Sequence, residues 1–115
     1  MRDSILITGA STGIGRTCSL HLAGRGFRVF AGVRKEADAE QLVAEDNAIE
    51  PVRIDVTDAA QIDAARSRIE EILDGDGLRG LVNNAGIAVP APLEILPIAE
   101  LRRQLEVNAV GQVAV

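Results

Sequence analysis

Four short stretches of this 115-residue chain carry side chains and spacings suited to chemistry. The first is Thr8-Gly9-Ala10-Ser11-Thr12-Gly13-Ile14-Gly15, with glycines in a Gly-x3-Gly-x-Gly spacing. Glycines there let the backbone turn sharply and come close to a pyrophosphate. A helix beginning at such a loop offers free N–H groups and a partial positive charge to that anion. A plain strand-to-helix turn uses the same residues. The second is Asp55-Val56, where a carboxylate at a strand end can accept a hydrogen bond from the amino group of adenine. A helix-capping or turn aspartate is the competing role. The third is Asn83-Asn84-Ala85-Gly86, whose amides and small residues can line a crevice beside a nucleotide or bridge adjacent strand ends. The fourth is Asn108, an amide on an otherwise apolar helix stripe, which needs partners if it is buried.

The elements that must position these residues alternate strand and helix, the pattern of a parallel α/β sheet. Ile5 to Thr8 reads as a buried strand, and Gly9 to Gly15 as a loop. Ile14, Cys18 and Leu22 recur every four residues, marking the inward face of a helix that ends near Gly24 to Gly26. Arg28 to Val33 is a second strand, Ala37 to Asp46 a polar helix, and Pro51 to Ile54 a third strand. Asp58 with Gln61 predicts a capped start to the next helix, whose inward stripe is Ile62, Ala65, Ile69, Ile72 and Leu73 and which ends at Gly75 and Gly77. Leu78 to Asn83 carries a fourth strand, and Asn84 to Pro97 a loop with three prolines. A last helix starts near Pro97, with Ile98, Leu101, Leu105 and Asn108 on one face, and is expected to be cut short at Val115.

Composition narrows the function classes. The length fits one domain, residues 1–115, and 47% apolar residues can supply a core. A net charge of −5 argues against nucleic acid or anionic membrane as a partner. Cys18 is the sole cysteine, so no internal disulfide forms, and no metal-ligand cluster is visible. The N-terminal apolar run is too short for a signal peptide or a membrane span, which sets a cytoplasmic expectation. Cys18, Phe27 and Phe30 read as packing residues, His21 as a surface residue, and Arg102-Arg103 with Glu106 as a solvated helix face.

Together the four motifs, in this order across essentially the whole chain, resemble the short-chain dehydrogenases/reductases. The resemblance implies a doubly wound Rossmann fold with a parallel sheet, truncated here after about four strands, and an NAD(P)-dependent oxidoreductase interconverting alcohols and carbonyls by hydride transfer. It implies that Gly9, Ser11, Thr12, Gly13, Ile14 and Gly15 hold the diphosphate and ribose. Asp55 and Val56 would hold adenine, and Asn83, Asn84, Ala85 and Gly86 the adjacent ribose. Asn108 would join the catalytic group, its backbone holding a water in a proton relay.

Cofactor preference turns on the end of the second strand, which reads Gly32-Val33-Arg34-Lys35-Glu36. An acidic residue there grips the ribose 2′-hydroxyl of NAD. Arg34 instead aligns with the 2′-phosphate contact of NADP-preferring relatives, so NADP(H) is expected. A contact from Glu36 in its place would favour NAD, and Lys35 can add positive charge. The family's catalytic tyrosine, the lysine four residues after it and the upstream serine find no match. The chain has no tyrosine, its one lysine is Lys35, and no serine follows Ser67. The 115 residues are therefore expected to be the cofactor-binding half of an enzyme, inactive alone. The alternative is a non-catalytic NAD(P)-binding module or sensor. The apolar loop Ile87 to Leu96 suggests an apolar alcohol or ketone as substrate, and the last helix suggests a homo-oligomer at full length.

Overall fold

The protein is described by a computed structural model covering residues 2–115. Its four strands are β1 (Ser4–Ile7), β2 (Arg28–Val33), β3 (Ile49–Arg53) and β4 (Gly80–Val82). Helix α1 (Gly13–Gly24) joins the first two, α2 (Glu36–Glu45) the next two, and α3 (Ala59–Leu73) the last two. All pairings are parallel and the order is β3-β2-β1-β4. This is the 3-2-1-4 part of the doubly wound Rossmann order, with the crevice at the carboxyl ends of the central strands.

Continuous apolar runs make strands that are buried on both faces. Leu6, Phe30, Val52 and Ile54 pack with Ala65, Ile69 and Leu73 of α3 on one side of the sheet. Ile7, Val29, Ala31 and Ile49 pack with Ala23 of α1 and Leu42 of α2 on the other. Phe30, Ile7, Leu42 and Val29 are fully enclosed, which stabilises the fold by roughly 2 kcal/mol each. Pro51 sits inside β3, one register position from Val52. The bonds Val29 N–H to Ala48 O and Ile54 N–H to Val33 O turn the even-numbered residues of this strand toward β2. Pro51 therefore presents its missing N–H to the free edge, where nothing is lost.

Several boundaries differ from the sequence reading by one to three residues, and two differences have physical causes. On α1 the fully buried residues are Gly15, Ser19 and Ala23, while Cys18 and Leu22 are half-buried against the core as expected and Ile14 is not on that face. The helix comes closest to the sheet at Gly15, where a Cβ would overlap the Gly9 carbonyl, and Ile14 is 75% exposed. Ser19 satisfies its buried hydroxyl by donating to Gly15 O at 2.8 Å. Helix α3 stops at Leu73, with Asp74 in the left-handed region at φ 46° and Gly75 after it at φ 95°. The last helix is not uniform. Segment α4 (Ile98–Leu105) passes into a π turn at Glu106–Val110 and then α5 (Gly111–Ala114). A π turn adds a residue and rephases the face beyond it. Gly111 is thereby laid against Val56, where an added Cβ would stand 2.9 Å from Val56 Cβ.

Candidate cofactor site

The cleft at the carboxyl ends of β1, β2 and β4 encloses about 420 Å³. Its floor is the loop after β1. Gly9 has φ 63°, and a Cβ there would stand 2.8 Å from Ala85 Cα. Gly15 is tighter, since a Cβ would overlap the Gly9 carbonyl oxygen and Asn84 Nδ2. Gly32, inside β2, leaves only 3.1 Å to Ile7 O. These three glycines let the first loop, the second strand and the fourth-strand loop converge without side chains between them. Gly13, at φ 57°, has nothing within 4 Å of its Cβ direction and marks the open mouth.

Helix α1 starts at that mouth. Thr12 occupies its N-cap in extended conformation, with no side-chain cap and no acidic residue in the first turn. By contrast α2 has Glu36 and Asp38 in its first turn, α3 is capped by Asp58, and α4 carries Glu100. The positive end of α1 is thus left uncompensated where it faces the cleft.

The wall after β4 is stitched to the wall after β1. Thr8, fully buried, accepts from the backbone N–H groups of Asn84 and Ala85 at 3.0 Å each. Asn84 Nδ2 donates to Thr8 O at 3.2 Å and Gly9 O at 3.1 Å. Asn83 turns away and donates to Gln112 O at 3.2 Å, and Gln112 Nε2 returns a bond to Ala85 O at 2.7 Å. Asn108 is exposed rather than buried among apolar residues. Its carboxamide exchanges two bonds with the backbone of Ile87, at 2.8 and 2.7 Å. Its side chain holds the loop after β4 to the π turn.

Asp55 lies just beyond β3. Its Oδ1 accepts from Thr57 N–H at 2.9 Å and Thr57 Oγ1 at 2.6 Å. The Thr57 hydroxyl and N–H, outweighing partial burial, hold the Asp55 carboxyl below its ordinary pKa, and the Arg34 guanidinium adds to this. The group enters the cleft as a carboxylate.

Of the residues singled out from sequence, Gly9, Ser11, Thr12 and Ile14 line the cleft from the first loop. Arg34, Asp55 and Val56 line it from the strand ends, and Asn84, Ala85 and Gly86 from the β4 side. Gly13 does not line it, and Gly15, Asn83 and Asn108 do not line it but act on its framework. Arg34 alone of the basic pair at the end of β2 reaches it. Lys35 and Glu36 line a separate groove between α2 and β3. Gly32, Thr57, Val107 and Arg103 line it as well and were not singled out. A glycine inside a strand is a readable sign of close approach for Gly32. Arg103 gave no sign. Sequence spacing places it on a solvated helix face, yet it borders the cleft while paired to Glu100 at 3.1 Å.

The family model for short chain dehydrogenases matches residues 3–115. The chain belongs to the short-chain dehydrogenase family. Among its relatives, it is 41% identical over 114 residues to the 3-amino-tetrahydro-pyrrolizinone reductase of Xenorhabdus hominickii, matching 99% of this chain and 39% of that one. It is similar to NADPH-bound carbonyl reductase from chicken fatty liver, with TM-score 0.89 and 30% identity over 99% of this chain and 49% of that one. It is also similar to the 3-ketoacyl-(acyl-carrier-protein) reductase of Brucella melitensis in complex with NADH, with TM-score 0.88 and 31% identity over 97% and 46%. The chain spans about two fifths of the length of the curated relatives it matches. Those two solved structures hold NADPH and NADH respectively. Among the described residues, no helix is long and apolar enough to cross a membrane.

Proposed function

We propose that this chain is the cofactor-binding half of an NADP(H)-dependent oxidoreductase that interconverts an alcohol and a carbonyl. The observation that carries this reading is the uncompensated N-terminus of α1 opening onto a glycine-floored cleft that Arg34 borders. The glycine loop fits a diphosphate, because Cβ atoms at Gly9 or Gly15 would fill the space or break its floor. Asp55 and Val56 suit adenine, and Asn84 with Gly86 suits the ribose beside it. Arg34 suits a 2′-phosphate, since Glu36 opens α2 on the other groove. When bound, the cofactor supplies or takes up a hydride. The residues of this chain bind it, orient it and hold the strand ends apart at a fixed spacing.

Completing the reaction needs an acid or base at the substrate oxygen. No tyrosine occurs in these 115 residues, so we infer that the chain binds cofactor without turning substrate over. The same absence supports the second reading, a non-catalytic NAD(P)-binding module. Titration of the chain with NADPH and NADH tests the cofactor assignment. NADPH is expected to bind more tightly, and Arg34→Ala to weaken NADPH by about tenfold to a hundredfold while leaving NADH nearly unchanged. Tighter binding of NADH by the unsubstituted chain refutes it.

A further inference from the structure

We propose that Gln61 is a positioning residue that holds Asp55 in place to read the amino group of adenine. This rests on the assignment of Asp55 to the base. Strand pairing ends one residue before Asp55, where Ile54 N–H still reaches Val33 O at 3.0 Å. The N–H of Asp55 itself is taken by Gln61 Oε1 at 2.9 Å. Gln61 is in turn tied down, its own N–H donating to Asp58 Oδ1 at 3.1 Å, and Asp58 N–H donates to Asp55 O at 2.9 Å. Both backbone polar groups of Asp55 are thus fixed from the start of α3. Oδ1 is occupied by Thr57, which leaves Oδ2 as the oxygen without a hydrogen bond among the described residues.

Capping of α3 accounts for the backbone bond from Gln61 to Asp58, which any residue at 61 would make. It does not account for the side chain. In the usual capping box the N3 side chain returns to the N-cap N–H. Here it reaches three residues further back, to the residue that borders the cleft. Without that acceptor the part-buried Asp55 N–H is left unpaired, and the peptide before it is free to rotate toward water. The carboxylate turns with it, and its aim on an exocyclic amino group is lost.

The test is titration of the 115-residue chain with NADPH and with the hypoxanthine analogue of NADPH, in which the amino group is replaced by a carbonyl. A charge-assisted hydrogen bond corresponds to about tenfold to a hundredfold in affinity, so the unsubstituted chain is expected to prefer NADPH by about tenfold or more. Gln61→Met, similar in length but without the acceptor, is expected to shrink that preference to roughly threefold or less. Gln61→Glu keeps an acceptor oxygen and is expected to retain the preference. A purely structural role would weaken both nucleotides in parallel and leave their ratio intact. Undiminished preference in Gln61→Met, or equal loss in Gln61→Met and Gln61→Glu, overturns the role of Gln61. If the unsubstituted chain does not distinguish the two nucleotides, the assignment of Asp55 falls, and the role of Gln61 with it. Should Gln61→Met not fold, Gln61→Ser, too short to reach Asp55, is read the same way.

Discussion

Replacing Gly15 by alanine puts the tightest contact of the site to the test. By helix propensity alone the change is favourable by about 1 kcal/mol, because alanine is the better helix former. Contact geometry points the other way. The new methyl would overlap the Gly9 carbonyl and the Asn84 amide nitrogen, and would lie 2.9 Å from the Gly9 carbonyl carbon. Two of those three atoms are backbone and cannot swing aside. Overpacking of this kind costs about 1–3 kcal/mol. Relief by moving Asn84 breaks its two bonds to Thr8 O and Gly9 O, each worth about 1 kcal/mol net. The sum outweighs the propensity gain and leaves a destabilisation of roughly 2–4 kcal/mol. For a domain of this size that lowers Tm by roughly 10 °C or more. Gly24→Ala, at the far end of the same helix with nothing within 4 Å, is the control and is expected to be neutral or slightly stabilising. Denaturant melts of the three proteins give the comparison, and NADPH titration reads the same contact from the cleft side. A Gly15→Ala chain that melts with the unsubstituted protein and binds NADPH equally would refute the close-approach argument.

Other expectations concern acid, clamps and surface. Asp55→Asn should lower stability at neutral pH by about 1 kcal/mol, less than a buried charged bond because the carboxylate is largely solvated. A depressed folded-state pKa contributes above the unfolded value, so the gap between the two proteins should be full above about pH 4 and close as pH falls further. Melts across pH 2–7 show it, and a gap that widens in acid contradicts the assignment. Asn84→Ala leaves two carbonyls short of a donor and should cost about 1–3 kcal/mol in a urea melt, together with weakened NADPH binding. Ile98, Leu101 and Leu105 are exposed at 57%, 38% and 52% and form one apolar face on α4. The chain should therefore associate as its concentration rises, and Leu101→Lys with Leu105→Lys should abolish this in light scattering without lowering Tm.

Strand and helix order were legible because each element shows its own period, and β2 agrees to the residue at Arg28–Val33. The Asp58 cap was legible too, since side-chain capping is a local interaction that sequence spacing records. The buried face of α1 was legible only in part, at Cys18 and Leu22. Periodicity selects the largest apolar residues, whereas the close approach of α1 to the sheet selects the smallest, and Gly15, Ser19 and Ala23 carry no hydrophobic signal. The π turn was equally hidden, because the contact it permits between Gly111 and Val56 is long-range and leaves no mark in local spacing. Within the cleft, Arg34 was separable from Lys35 and Glu36 only in three dimensions. Adjacent residues at a strand end diverge into different grooves, and spacing alone does not say which goes where.

The two margins of the sheet are chemically unequal, and this gives further assembly a direction. At the β3 margin, a strand arriving from solvent meets a pyrrolidine ring where it would seek a donor, so hydrogen-bonded extension is blocked there. At the β4 margin no proline interrupts Gly80–Val82, and Leu81 and Val82 offer exposed apolar area. A strand that extends this sheet by hydrogen bonding is expected at that margin, on the side away from β3.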